Sequence, residues 1–206
     1  MCADKARFGS RLADIGTDHG YLPIRLVQTG RIPSAVACDI AEGPLNSARE
    51  NIERYGLEDR ISTRLADGLE GLCREDADDI VIAGMGGELI ASILSKSDFI
   101  KDPSVLLILQ PMTRYEKLSA FLCENGYEFL SQDAVSEVSK TYTVITARYS
   151  GSSVKKDLFS CIVGMLDKDK PEDRKFLENA LKRLRKQAHG DRESAAAAKR
   201  LEEYLL

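Results

Sequence analysis

Residues 14–21 read DIGTDHGY, and this stretch decides the fold of the 206-residue chain. It follows a short apolar run, residues 11–15, and precedes a segment with apolar side chains at helical spacing. A glycine-rich turn between a buried strand and a helix is typical of open α/β sheets, whose ligands bind beyond the carboxyl ends of the strands. The stretch therefore predicts both a class of fold and the place of a binding site.

Strands and helices continue to alternate outward from this turn. Apolar strand candidates cover residues 11–15, 35–39, 61–65, 79–83 and 104–109, and helix candidates cover 21–29, 42–55 and 115–125, with another ending at 94. Two later segments, 127–135 and 141–149, alternate like an antiparallel pair. Because continuous apolar strands separated by helices indicate a parallel sheet covered on both faces, we expect an α/β, Rossmann-like fold with an antiparallel edge hairpin.

The composition excludes several classes of protein. No run approaches the roughly 18–20 apolar residues of a membrane helix, and residues 1–10 hold no apolar stretch of a secretory signal. Five cysteines form no C-x-x-C pair, and with only two histidines a structural metal site is not expected. We therefore expect reduced thiols, a cytoplasmic location, no metal and no membrane partner.

The formal net charge of −4 argues against a nucleic-acid partner when the chain is taken whole. The charge is divided unevenly, because residues 1–150 carry 16 basic and 23 acidic side chains, whereas residues 151–206 carry 13 and 10. The change falls at residues 150–153, a serine- and glycine-rich stretch that resembles a linker. We therefore predict two domains, an acidic ligand-binding body at 1–150 and a mildly basic helical region at 151–206.

The residues that replace glycine in the first turn suggest which cofactor it holds. A dinucleotide site would need glycine at two positions where the chain has Asp18 and Tyr21. The turn instead resembles the D-x-G-x-G-x-G motif of class I S-adenosylmethionine (SAM) methyltransferases, with Gly16 and Gly20 in place and Asp18 for the middle glycine. SAM presents an ammonium and a sulfonium, which acidic side chains such as Asp14 attract. The alternative is a tight strand–helix connection.

Acidic residues also follow the second and third strand candidates. Asp39 ends the second strand and Ile40 follows it, and a carboxylate at this place can accept both ribose hydroxyls. Asp67 and Gly68 follow the third strand, where SAM enzymes bind the adenine. Each acid alone is most often a turn or cap residue, but acids at three successive strand ends favour a SAM site. His19, within the first turn, is expected to hold that turn by a hydrogen bond rather than to act as a base.

The fourth strand candidate leads into residues 84–87, which hold three glycines in four positions. Methyltransferases that act on exocyclic base amines usually carry [DNS]-P-P-[YF] here, and none of these residues is present. The glycines predict a wide floor with exposed backbone N–H groups at a helix start, which could admit a planar base or a phosphate. The alternative is a tight turn against a closely packed helix.

Five strings together resemble the bacterial tRNA (adenine(22)-N1)-methyltransferase family: ADIGTDHGYLP, ACDI, RLADGL, IAGMGGELI and LILQP. The resemblance covers residues 11–150, and the tail in architecture only. It implies a class I methyltransferase fold with a C-terminal helical, coiled-coil-like region, and transfer of methyl from SAM to N1 of an adenosine near the D-arm of tRNA. The chain reaches its first strand within about ten residues, where the family usually has a longer helical lead-in.

The resemblance also implies roles for individual residues. Together with the strand-end residues above, the expected cofactor set is Asp14, Gly16, Asp18, His19, Gly20, Asp39, Ile40, Asp67, Gly68, Ala83 and Gly84. Met85, Gly86 and Gly87 would form the catalytic segment that borders the target base. N1 of adenine carries an in-plane lone pair, so transfer needs positioning and an acidic setting rather than a general base.

Apolar residues between 176 and 184 repeat at helical spacing within the basic tail. Basic residues lie between them: Lys175, Lys182, Arg183, Arg185 and Lys186. This pattern predicts a helical hairpin whose basic side either contacts tRNA phosphates or is a solvated face.

Four residues at or near strand ends, Tyr21, Gln110, Arg114 and Tyr142, are candidates for contact with the base or the RNA, and a structural role is equally open for each. Two other functions stay open as well. One is methylation of a small molecule or a protein. The other is a catalytically silent SAM-binding protein whose helical tail is an interaction module.

Overall fold

The computed structural model describes residues 1–137 and 140–206. The described strands are β1 (Leu12–Ile15), β2 (Ala35–Asp39), β3 (Ile61–Leu65), β4 (Asp79–Gly86), β5 (Leu106–Thr113), β6 (Tyr127–Glu137) and β7 (Lys140–Tyr149). The described α-helices are α1 (Cys2–Lys5), α2 (Tyr21–Gln28), α3 (Glu42–Arg54), α4 (Gly87–Ser95), α5 (Tyr115–Glu124), α6 (Leu158–Val163), α7 (Pro171–Gln187) and α8 (Arg192–Leu205), and a short 3-10 helix covers Phe99–Lys101.

These strands form one sheet in the order β3-β2-β1-β4-β5-β7-β6. The first five are parallel, and β7 is antiparallel to both β5 and β6. The predicted fold class, a parallel Rossmann-like sheet with an antiparallel edge hairpin, is therefore confirmed. The strand order changes direction between β1 and β4, which is where ligands bind in such sheets.

Each face of the sheet carries its own apolar layer. Along β4, Ile80 and Ile82 belong to the layer formed with α4 and α5, whereas Val81 belongs to the layer formed with α2 and α3. This alternation follows from the two-residue period of a strand. Because both faces are covered, the strands are apolar throughout, and the polar residues concentrate at the two edges where the strands end.

The amino-terminal edge of the sheet is closed by ion pairs. The buried carboxylate of Asp79 pairs with Arg7 at 2.6 Å and accepts the Ser10 hydroxyl at 2.9 Å. Asp78 pairs with Arg11 at 3.0 Å and with Arg74 at 2.9 Å, and the hydrogen bond from Arg11 is the main reason that its pKa lies well below the usual range. The acids of this edge are thus already paired.

Strand β4 is longer than the sequence predicts. The prediction ends it at residue 83 and places the glycines at a helix start, with a tight turn as the alternative, but β4 continues through Gly86 and stays paired with β5. The pairing shifts register around Gly84, whose φ of +79° is open to glycine without strain. The glycines therefore form an irregular strand end rather than a turn, and α4 begins directly after it.

The C-terminal helices pack against the body of the protein. An apolar cluster of α6, α7 and α8 includes Tyr115 of α5 and Ala134 of β6. The buried Asp173 carboxylate accepts the Ala134 backbone N–H at 2.7 Å and the Asp167 backbone N–H at 3.0 Å, which fastens α7 to β6. No helix in the described part of the chain has both the length and the apolar character needed to cross a membrane.

Candidate functional site

The carboxyl ends of β1, β2 and β4 bring most of the predicted site residues to one edge of the sheet. In the register of the sheet, Ile15 lies between Cys38 of β2 and Ile82 of β4. The segments that follow these three residues are the first turn, Asp39 with Ile40, and the glycine-rich end of β4. The sequence prediction of a shared edge therefore agrees with the topology.

The first turn is held by main-chain hydrogen bonds. The N–H groups of Gly16 and Thr17 both donate to the Cys38 carbonyl at 2.8 Å, and both glycines of the turn have positive φ, +76° at Gly16 and +69° at Gly20. A side chain at Gly20 would meet Ala48 of α3 at 3.4 Å. That distance is an ordinary contact, so it is the left-handed backbone of the turn that favours glycine at both positions.

Asn51 of α3 completes the turn, and the sequence analysis missed it. Its side-chain amide is buried and donates to the His19 carbonyl at 3.0 Å. The signal was a polar residue on the apolar face of a predicted helix, one position before Ile52. His19 therefore contributes to the turn through its carbonyl, and its ring nitrogen lies 3.3 Å from the exposed carboxylate of Asp18 in the same turn. The His19 and Tyr21 rings are 5.3 Å apart and tilted by 33°.

Asp14 is a buried acid without a basic partner. Its side chain lies at the end of β1, 8% exposed, and no described Lys, Arg or His nitrogen comes within 4.0 Å. Burial raises its pKa to about 6, the nearby Thr17 hydroxyl opposes part of that rise, and the charge of Asp39 adds to it. A carboxyl in this state is stabilised by any cation that binds next to it.

Asp39 and Ile40 form the second part of the site. One carboxylate oxygen of Asp39 accepts the Ala41 N–H at 2.8 Å, which orients the half-buried side chain and leaves its second oxygen without a described partner. The next residue, Ile40, is 68% exposed although it is apolar. An oriented acceptor beside a bare apolar side chain suits a ribose joined to a flat ring.

Asp67 lies after β3 as predicted, but in this structure its carboxylate is engaged. It pairs at 3.0 Å with Lys96, the residue directly after α4, and both side chains are about half exposed. Gly68 is buried against Ile93, since an added Cβ would lie 2.8 Å from an Ile93 methyl. Gly68 therefore allows α4 to approach the turn, and Asp67 is available to a ligand only if Lys96 moves or shares it.

Met85 connects the first turn to the end of β4. Its terminal methyl occupies the space above Gly16, where an added Cβ would lie only 2.1 Å from it. Ala83 and Gly84 precede it, and the N–H of Gly84 donates to the side-chain oxygen of Gln110 at 2.9 Å. The half-buried Met85 side chain thus lies between the predicted cofactor turn and the predicted floor.

Gly86 and Gly87 differ in what surrounds them. Gly86 is partly open, with the Thr113 hydroxyl 3.4 Å from the place of a Cβ. Gly87 is buried, and a Cβ there would lie 2.4 Å from the Arg114 carbonyl oxygen. The predicted wide floor is therefore limited to residues 84–86, whereas Gly87 takes the close-packing role that was the alternative.

The remaining surface of this edge is apolar and open. Tyr21, Leu89 and Met112 are 61%, 53% and 42% exposed. Like Ile40, they lie on segments at or directly after the carboxyl ends of the parallel strands, and exposed apolar side chains at such an edge are typical of a binding surface. Within residues 1–137 and 140–206, no group of three His, Cys, Asp or Glu side chains is placed to hold a metal ion.

Comparison with known proteins agrees with this geometry. A family model described as a methyltransferase domain matches residues 2–145. The tRNA (adenine(22)-N(1))-methyltransferase of Bacillus subtilis is 37% identical over 158 residues, which cover 77% of this chain and 66% of that protein. The sequence alignments with two mycoplasma relatives cover 59% and 60% of their length, so the chain spans less than two thirds of these curated relatives.

Solved structures resemble the chain over its full length. Streptococcus pneumoniae Sp1610, in complex with S-adenosyl-L-methionine, superposes with a TM-score of 0.84 and 31% identity, covering 100% of this chain and 96% of that chain. The B. subtilis M1A22 tRNA methyltransferase superposes with a TM-score of 0.78 and 30% identity, covering 99% of this chain and 92% of that chain.

Proposed function

The chain belongs to the tRNA (adenine(22)-N(1))-methyltransferase family, within the class I SAM-dependent methyltransferases, and on that basis we propose that it methylates N1 of adenosine 22 in tRNA. The observation that carries the proposal is Asp14, a buried acid with no cationic partner among the described residues, at the same edge of the sheet as the glycine floor. The residues of the proposed catalytic segment are Met85, Gly86 and Gly87.

The residues at the ends of β1, β2 and β3 fit SAM. An ammonium or sulfonium near Asp14 would stabilise its carboxylate, while Asp39 would accept the ribose hydroxyls and Ile40 would cover the adenine. Asp67 would reach the adenine amine only by sharing its carboxylate with Lys96. When bound, SAM supplies an electrophilic methyl group on its sulfonium.

The floor residues need only to position the acceptor. N1 of adenine attacks through its in-plane lone pair, so that no proton has to be removed first. The hydrogen bond between Gln110 and Gly84 fixes the position of the floor relative to β5. The acidic residues at this edge of the sheet favour a base that becomes cationic. Residues 84–87 carry no side chain that could act as a general base, which is compatible with this reaction.

A row of lysines on α7 supports tRNA as the partner. Two of the predicted basic residues are engaged, since Arg183 pairs with Glu116 at 3.3 Å and Arg185 pairs with Glu202 at 2.6 Å. The other three, Lys175, Lys182 and Lys186, are exposed and have no carboxylate within 4.0 Å among the described residues. At 3.6 residues per turn the latter two lie within about 20° of the direction of Lys175, in a row of about 17 Å.

These lysines would contact successive phosphates, which gives salt-dependent attraction despite the acidic body. The proposal therefore includes the division into a SAM-binding domain at 1–150 and an RNA-contacting helical region at 151–206. It also includes a cytoplasmic location, where reduced thiols and tRNA are found together.

The test is to incubate the protein with SAM and bulk bacterial tRNA, digest the RNA and quantify methylated nucleosides by mass spectrometry. We expect N1-methyladenosine to accumulate with time, and to accumulate more slowly with an Asp39→Ala variant at limiting SAM. Methylation of tRNA at another atom, or of protein or small molecules alone, would contradict the proposal. SAM binding without any transfer would identify a catalytically silent member of the family.

A further inference from the structure

Arg114 has an unusual backbone conformation at the edge of the floor. It connects β5 to α5, and it is the one non-glycine residue with positive φ, +54°, in the described ranges 1–137 and 140–206. The left-handed region is unfavourable for a residue with a Cβ, and glycine would adopt it without that cost. A strained residue of this kind at a binding edge calls for a functional explanation.

Two neighbouring elements hold this conformation in place. The Arg114 carbonyl accepts the Lys117 N–H at 3.0 Å and the Leu118 N–H at 3.4 Å, which begins α5. The same carbonyl lies against Gly87 at the start of α4, where a Cβ would come within 2.4 Å of its oxygen. Arg114 is therefore fixed relative to the floor segment, because the floor ends directly at Gly87.

The Arg114 side chain is exposed and has no described partner. No carboxylate of the described residues lies within 4.0 Å of its guanidinium, whereas Arg183, which borders the same cleft, is paired with Glu116. The cleft has a volume of about 430 Å³ and lies between α5 and the C-terminal helices. The cleft has mixed charge, because its lining also includes Lys117, Lys155 and Lys156 on the basic side and Glu124, Asp191 and Glu193 on the acidic side. What distinguishes Arg114 among these residues is its place directly beside the floor segment, against Gly87.

Arg114 lies between the two surfaces that the proposed function assigns to RNA, the floor and the lysine row of α7. On one side it touches the floor through Gly87, and on the other it faces the cleft formed with α7, the helix that carries the lysine row. Guanidinium groups bind phosphate through two parallel N–H donors, which fixes both distance and orientation. A lysine could supply charge here but not this geometry.

We propose that Arg114 binds a backbone phosphate of the tRNA next to the target nucleotide and thereby sets the register of the target adenosine over the floor. This inference rests on the proposed function, because it names the polymer to which that site binds. Arg114 is a positioning residue. Its strained backbone has a function in this account, because it holds the base of the side chain at a fixed place relative to the floor.

The test compares three variants with the wild-type protein. Arg114→Gln removes the charge, and Arg114→Gly also removes the backbone strain, so a folding defect is not expected for it. Arg54→Gln is the control, since Arg54 is an exposed, unpaired arginine at the end of α3, on the opposite edge of the sheet. For each protein, SAM affinity, tRNA affinity at several salt concentrations and methyl-transfer rates are measured.

Both Arg114 variants should bind tRNA about tenfold more weakly, with a salt slope smaller by about one and with unchanged SAM affinity. Arg54→Gln should behave like the wild type. Unchanged tRNA affinity and salt slope in Arg114→Gly would overturn the inference while leaving the proposed function intact. A wild-type protein that binds tRNA through Arg114 but forms no N1-methyladenosine would instead overturn the proposed function alone.

Discussion

The side-chain oxygen of Gln110 in β5 accepts a hydrogen bond from the backbone N–H of Gly84 in β4 at 2.9 Å. The two strands pair regularly up to Ala83 and Gln110 and then lose register, so this side chain replaces a backbone partner at the point where regular pairing stops. The bond therefore determines where Met85 and Gly86 lie. Because Gln110 acts through this floor segment, we assign it as a positioning residue.

Replacing Gln110 with Leu should mainly slow methyl transfer. The Gly84 N–H would lose its acceptor and the floor would shift, which should lower kcat about tenfold, the size expected for one hydrogen bond. SAM affinity should change less than about twofold, because Gln110 does not belong to the proposed cofactor site. Steady-state kinetics with tRNA and calorimetry with SAM measure both quantities. Gln28→Leu on exposed α2 surface is the matched control, and a loss confined to SAM affinity would disprove the assignment.

Replacing Gly16 with Ala should damage both stability and SAM binding. A residue with a Cβ at φ +76° costs about 1–2 kcal/mol, and this Cβ would also displace the Met85 methyl that now lies 2.1 Å from its place. Gly30→Ala isolates the backbone cost, since Gly30 has φ +68° and nothing within 4 Å of an added Cβ. We expect similar unfolding free energies for the two variants but weaker SAM binding only for Gly16→Ala. Equal SAM affinities in Gly16→Ala and Gly30→Ala would show that the contact between Gly16 and Met85 does not affect SAM binding.

Asp14 should make the protein less stable at neutral pH than at mildly acidic pH. Its pKa is about 6 in the folded chain against an ordinary 3.8, so between these values the unfolded chain loses its proton first. Stability is therefore lost as the pH rises through this window, and the full cost, roughly 3 kcal/mol at most, is present above pH 6. Asp14→Asn should consequently raise the free energy of unfolding at pH 8, and less so at pH 5, as chemical denaturation can measure.

The same residue should make SAM binding depend on pH. A cationic ligand favours the ionised carboxyl, so the SAM affinity of the wild-type protein should fall as the pH drops below 6. Asp14→Asn should bind SAM more weakly and without this pH dependence. If Asp14→Asn is less stable than the wild type at pH 8 and binds SAM with normal affinity, the Asp14 carboxylate is not the group that binds the cationic cofactor.

Asp39→Ala should weaken SAM binding about tenfold or more, because a charged acceptor for the ribose hydroxyls is lost. Asp39→Asn keeps an acceptor for the Ala41 N–H and should lose less. Asp59→Ala, an exposed acid in the loop after α3, is the matched control. Calorimetry with SAM gives all three affinities, and an unchanged value for Asp39→Ala would contradict the assignment of Asp39.

The fold was predictable from the sequence because its strands are continuous apolar runs and its first turn has a specific pattern. The extent of β4 was not, because glycines such as Gly84 and Gly86 do not favour a strand when the segment is read alone. Their pairing with β5 depends on Gln110, a side chain 26 residues away from Gly84. A bulge that needs a distant partner leaves no local signal.

The candidate site was likewise predicted in part. The acids at the strand ends could be placed because parallel strands share one carboxyl edge, but their partners could not. The pair of Asp67 with Lys96 joins two elements 29 residues apart, and the pair of Arg183 with Glu116 joins α7 to α5. Such contacts decide which charges stay available to a ligand, and they arise only from tertiary packing.

The central claim is that the acceptor is N1 of adenosine 22 in tRNA, and primer extension on a methylated transcript tests it most directly. A methyl group on N1 blocks Watson–Crick pairing, so reverse transcriptase should stop next to adenosine 22 after incubation with protein and SAM. A transcript in which this adenosine is replaced by guanosine should give no stop. A stop at another position would contradict the account. So would methyl groups that are still incorporated into the transcript in which guanosine replaces adenosine 22.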